Sequence, residues 1–138
     1  RKLLPEGQPA DKLFTVLDDT WRLLPTLVPA QRSILEATVQ LQVLQAAGLS
    51  PALRHCLSGG REQPQEAVVL RADSGGWQCL SCHGQWAGAR HSLSPALLKV
   101  LRWLHRYPEQ ALRLKSSYSQ AEQLLAATRQ YTSTVAYG

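Results

Sequence analysis

The stretch "GGWQCLSCHG", residues 75–84, sets Cys79 and Cys82 in a C-x-x-C spacing with His83 directly behind. Three chemistries use that spacing: attachment of a c-type haem, a redox dithiol, and half of a zinc site. A haem of the electron-transfer kind wants a second axial ligand, often methionine. The chain has no methionine, which leaves His55, His91 or His105 as substitutes. A redox pair wants a helix opening at the cysteines, whose N-terminus lowers the thiol pKa. Cys82 instead leads into His-Gly-Gln-Trp-Ala-Gly, a poor helix former. The zinc reading has more context. Cys56 stands 23 positions before Cys79, near the separation of the two knuckles of a zinc ribbon. Cys56, Cys79 and Cys82 would then be the metal ligands, with Gly59 where the fourth cysteine belongs and His55, His83 and His91 as alternative fourth donors. Without metal, the same thiols serve as small buried apolar groups.

Around the cysteines, "AVVLRA" (67–72) and "GWQC" (76–79) are short extended runs separated by Asp73-Ser74-Gly75-Gly76, a turn signal, so a small hairpin is expected. Helical periodicity surrounds it. Leu13, Phe14, Leu17, Trp21 and Leu24 recur at helical spacing over Pro9–Leu24. Pro29–Gly48 follows as a second helix, with Ile34, Leu41 and Leu44 as core positions and Gly48 as its C-terminal cap. "SPALLKVLRWLHRYP" (94–108) is a punctuated helix: Ser94 caps it, Pro95 opens its first turn and Pro108 stops it. A last helix is expected over Ser119–Tyr131. The fold class is therefore mainly α, a helical bundle with a small zinc-ribbon-like β-hairpin insert. Its parts are a helical region over 1–54, the insert over 55–91, and a basic C-terminal helical region over 92–138, in one compact domain.

The totals agree with a single domain. The chain has 138 residues, 44% hydrophobic and 18% charged, which is globular composition. Methionine is absent even at position 1, so a fragment or processed chain is expected. No apolar run approaches the roughly 20 residues of a membrane span. Three cysteines are too few and too odd for a secreted disulfide framework, so a reducing compartment is expected.

Charge is unevenly placed. Residues 1–82 carry eight Lys/Arg and eight Asp/Glu, whereas residues 83–138 carry seven basic side chains against Glu109 and Glu122 alone. A basic half points to an anionic partner, of which nucleic acid is the commonest. Lys99, Arg102 and Arg106, three and four apart, fall on one helix face, with Arg113 and Lys115 just beyond. These five cations, with Trp103 as a stacking platform, are the candidate nucleic-acid-binding residues. Trp103 shares its face with Tyr107, while Trp77 and Trp21 read as core. No nucleophile–base pair, phosphate-cradling glycine loop or paired carboxylate is found, so no catalytic residue and no enzymatic activity is expected.

Five landmarks now line up: "LLPEGQP" (3–9) ahead of a helix with Leu13-Phe14, "VQLQVLQAAGL" (39–49), "SPALRHC" (50–56), "GGWQCLSC" (75–82) and "LSPALLKVL" (93–101). Their order and spacing resemble the RecO family, whose pattern runs from a helix F-E-x-x-L-L-x-x-x-G-Y through L-x-x-C-x-x-C and G-G-x-x-C-x-x-C to another helix. Val39-Gln40 stands for the phenylalanine and glutamate, and Leu44, Gly48, Leu49 and Leu53 follow in step. The resemblance covers nearly the whole chain, and the family's N-terminal OB-fold would precede Arg1. It implies a non-catalytic bacterial DNA-repair and recombination mediator, cytoplasmic and nucleoid-associated. It also implies binding of single-stranded DNA, strand annealing, and work with RecR and single-stranded-DNA-binding protein to help load RecA. The acidic tail of single-stranded-DNA-binding protein would enter the helical part, where Arg32 and Arg54 are the nearby cations. Some members lack the zinc cysteines, so the glycine at position 59 bears on the metal and not on the family. A purely protein-binding scaffold for that tail or for RecR is the alternative.

Overall fold

The computed structural model describes Asp18, Arg22 and residues 26–58, 60, 62–80 and 91–137. The expected helix over Pro9–Leu24, apart from Asp18 and Arg22, lies outside the described residues, as do Gly59, Cys82, His83 and Trp86.

Helix α1 spans Pro29–Ala46. Proline fits its first position because that N–H has no intrahelical partner. The Val28 N–H donates to Gln31 Oε1 at 3.2 Å, satisfying one of the open donors at this end. At the other end the Gly48 N–H donates to the Gln45 carbonyl at 3.1 Å and the Leu49 N–H to the Leu44 carbonyl at 2.8 Å. That is a Schellman closure. It needs a left-handed residue, and Gly48 supplies it with φ +76°. Ile34, Leu41 and Leu44, expected in the core, are all buried.

Strands β1 (Ala52–Cys56), β2 (Val68–Arg71), β3 (Gly76–Cys79) and β4 (Ser92–Leu93) form one sheet in the order β1-β3-β2-β4. The expected hairpin is β2–β3, antiparallel, with Val68 opposite Cys79 and Leu70 opposite Trp77. The sheet is larger than the two extended runs predicted. β1 lies parallel to β3, and β4 pairs antiparallel with β2 through Val68–Leu93 and Val69–Ser92. Neither added strand carries a period-2 pattern: β1 is buried only at Leu53 and Cys56, and β4 has two residues. Pairing with distant strands, not local pattern, makes them extended. Gly76 permits the close approach of β1, since a Cβ there would sit 2.9 Å from the Ala52 carbonyl oxygen.

Helix α2 (Pro95–Arg106) begins and ends as expected: Ser94 Oγ accepts from the Leu97 N–H at 3.2 Å, and Pro108 follows its end. A 3-10 helix over Pro108–Arg113 leads to α3 (Tyr118–Tyr137). This last helix starts one residue earlier and ends six later than the expected Ser119–Tyr131. Ser117 caps it, accepting from the Gln120 N–H at 3.1 Å. Its last turns hold because Tyr131 is buried and Val135 packs on the core, so tertiary contact overrides the weak helix propensity of "TSTV".

One buried cluster joins Leu41 of α1, Val68 and Trp77 of the sheet, Leu98, Leu101 and Leu104 of α2, and Leu124 and Tyr131 of α3. Side chains from all three expected segments meet in it.

Candidate nucleic-acid interface

α2 presents two faces. Leu97, Leu98, Leu101 and Leu104 are buried, which fixes the helix on the body and turns the intervening residues outward. Lys99 and Arg106 are exposed, and so are Arg113 at the end of the 3-10 helix and Lys115 beyond it. None of these four has an acidic partner among the described residues. Arg106 lies with its guanidinium carbon 5.4 Å from the Tyr107 ring centroid. Trp103 is half-buried and packs against the core cluster, with its ring centroid 6.4 Å from that of Tyr107 at 54°. One part of it is therefore structural, and its exposed part lies beside the cations.

Arg102 is held differently from its neighbours on the stripe. Its Nε donates to the Leu53 carbonyl at 2.7 Å, and its Nη2 donates to the carbonyls of Arg54, at 3.0 Å, and Glu62. Its guanidinium carbon sits 5.5 Å from the Trp77 ring centroid, and Trp77, fully buried, donates its own Nε1–H to Leu53 O at 2.8 Å. Burial lowers the Arg102 pKa while the Glu62 carboxylate raises it, and the guanidinium stays charged. Arg102 thus ties α2 to β1 and to the segment before β2. Sequence spacing places it with Lys99 and Arg106; the structure gives it a bracing role as well.

Beside this brace is an open cleft of about 590 Å³, floored by Leu53 and walled by Gln45, Arg54, Glu62, Arg102 and Arg106. Arg54 pairs with Glu62 at 3.0 Å, and His55 lies 3.4 Å from the same carboxylate. The Arg54 hydrogen bond is the main reason that the Glu62 carboxyl sits below its ordinary range. On the rim, Ser50 Oγ and His105 Nε2 are 2.6 Å apart. Gln45 was not singled out by the sequence, and nothing local marks it, since a glutamine in a last helical turn is ordinary. A second, smaller recess is lined by Ile34, Leu97, Val100, Leu114 and Leu124, with Lys115 at its edge.

Cys56 and Cys79 are buried on neighbouring strands, Cys56 standing opposite Trp77. Cys82 and Gly59 lie outside the described residues. Among the described residues no three of His, Cys, Asp and Glu gather so as to hold a metal ion. Cys56 and Cys79 are two of the four ligands that a zinc ribbon needs. No described helix is long and apolar enough to cross a membrane.

A family model described as "Recombination protein O C terminal" matches residues 1–136. No curated protein and no solved structure matches the chain.

Proposed function

This chain belongs to the family of the recombination protein O C-terminal region, and from that premise we propose that it is a non-catalytic module binding single-stranded DNA along α2 and the segment behind it. The family places it in DNA recombination and repair. One observation carries the finer reading: Lys99, Arg106, Arg113 and Lys115 are exposed, have no acidic partner among the described residues, and share residues 99–115 with a single acid, Glu109. Such a surface neutralises phosphates and releases counterions, a term indifferent to sequence and suited to strand annealing. Trp103 and Tyr107 add a stacking face within it. In this reading the module works beside RecR and single-stranded-DNA-binding protein to help load RecA. A labelled single strand titrated with the chain at low salt tests it by fluorescence anisotropy. Saturable binding is expected, and no binding at low salt would overturn the reading.

A second reading, a docking scaffold for a protein tail, is favoured by a recess beside Lys115 in two adjoining parts, of about 60 and 210 Å³, that share Ile34, Leu114 and Ser116. An apolar slot with a cation at its edge suits a hydrophobic peptide that ends in a carboxylate. Arg32 and Arg54, the cations expected near such a pocket, do not line this recess. An acidic tail peptide that binds without displacing the DNA strand would show two surfaces; mutual displacement would show one.

A further inference from the structure

We propose that His105 is a further, proton-dependent contact of the bound strand, so that single-stranded DNA binding along α2 takes up a proton. This rests on the single-stranded DNA reading above and adds to it a titratable member of the cationic surface.

Position is the first observation. His105 stands three residues after Arg102 and directly before Arg106, so it flanks the cationic stripe on the side that faces the cleft. It lines that cleft together with both arginines and is only half-buried, so a strand lying on Arg106 passes beside its ring. The second observation is how the ring is held. Its Nε2 lies 2.6 Å from Ser50 Oγ, in the connection between α1 and β1. A hydroxyl both donates and accepts, whereas a neutral imidazole nitrogen does one or the other and a protonated one only donates. The Ser50 contact therefore survives a change of charge, and the ring keeps its place at the cleft rim in both forms. A side chain already fixed in place loses little freedom on binding.

The third observation is the charge around the ring. The cleft brings Arg102 and Arg106 from its own helix, Arg54 from β1 and Glu62 from the segment before β2. α1 and the α1–β1 connection present the uncharged Gln45 and Ser50. The one carboxylate in that lining, Glu62, is engaged by Arg54 at 3.0 Å and stands 3.4 Å from His55 Nε2. A strand on Lys99 and Arg106 thus brings new negative charge to this rim. An anion within about 4–6 Å of a titrating group favours its charged form. Histidine ordinarily changes charge near about pH 6.5, whereas lysine and arginine stay charged throughout the neutral range. By reciprocity, a surface that gains a proton on binding binds more tightly as the pH falls.

The test measures the salt slope of oligothymidylate binding at about pH 5.5 and about pH 8, either side of histidine's ordinary range, for the parent chain and His105→Gln. Thymine does not titrate between the two, so the strand's own charge is constant. In the parent the log–log slope should be steeper by about 0.7 at the lower pH, one more phosphate neutralised, and the affinity should be higher there. In His105→Gln the two slopes should be equal. A parent slope that is the same at both pH values, or a folded His105→Gln variant that keeps the difference, would overturn the proton-linked contact while leaving parent binding, and so the broader DNA reading, intact. No parent binding at either pH would overturn both. Should His105→Gln fail to fold, the ring resonances of His105 in the parent report directly. Their titration midpoint should move to higher pH when oligothymidylate is bound, and a midpoint that stays in place with the strand bound would overturn the proposal.

Discussion

Arg102 and Trp77 share one acceptor. The Leu53 carbonyl oxygen takes a 2.7 Å hydrogen bond from Arg102 Nε and a 2.8 Å bond from Trp77 Nε1, while the guanidinium carbon lies 5.5 Å from the indole centroid. The guanidinium also reaches the Arg54 and Glu62 carbonyls, so one side chain closes the gap between α2, β1 and the segment before β2. Arg102→Ala should destabilise the chain by about 3 kcal/mol, because charged hydrogen bonds are lost and two carbonyls give up their donor. Arg102→Lys should recover less than half, since an ammonium is a point charge and cannot reproduce the planar fork. Urea denaturation measures both, and a lysine variant as stable as the parent would contradict the brace.

Two glycines serve different purposes and should answer alanine differently. Gly48 has φ +76° and open space around its missing Cβ, so Gly48→Ala should cost about 1 kcal/mol, from backbone strain alone. At Gly76 a Cβ would meet the Ala52 carbonyl oxygen at 2.9 Å, and the parallel pairing of β1 with β3 must give way. Gly76→Ala should therefore be the more destabilising of the two by denaturant midpoint. Equal effects would mean that β1 is held by something other than its contact with β3.

Arg71 grips Asp73 across the hairpin turn through Nε at 2.9 Å and a second, shorter Nη2 contact, and it donates Nη1 to Gln78 at 2.9 Å. That grip, chiefly the hydrogen bond, holds the Asp73 carboxyl below its ordinary value of 3.8. A carboxylate depressed in the folded state adds stability above its unfolded pKa, and loses it as pH falls through the lowered folded value. Asp73→Asn should thus be less stable than the parent at neutral pH, by about 0.5 kcal/mol because the pair is largely solvent-screened. The gap should close in acid below the folded pKa. Thermal unfolding across the acid range checks it, and a constant gap would place the effect elsewhere.

The sequence carries its helix ends openly because caps are local. Ser94 with Pro95, and Gly48 beyond Ala46, act within one turn of the boundary that they mark. The hairpin turn at Asp73–Gly76 is legible for the same reason. β1 and β4 are not, because their partners lie about 20 residues away or more and their own patterns are irregular. The candidate surface divides along the same line. Spacing alone puts Lys99, Arg102 and Arg106 on one face, but what Arg102 does there depends on carbonyls 40 to 49 residues earlier. Every residue has a carbonyl, so no side-chain pattern announces an acceptor.

The central claim, that the exposed cations of α2 and its following segment contact a DNA backbone, is tested most directly by the salt dependence of single-strand binding. Four contacts, from Lys99, Arg106, Arg113 and Lys115, predict a log–log slope of about −3, at roughly −0.7 for each phosphate neutralised. Replacing Lys115 and Arg113 together by alanine, away from both Arg102 and the cleft, should bring the slope to about −1.4. An unchanged slope in a folded variant, or a parent chain whose binding does not vary with salt, would contradict the account.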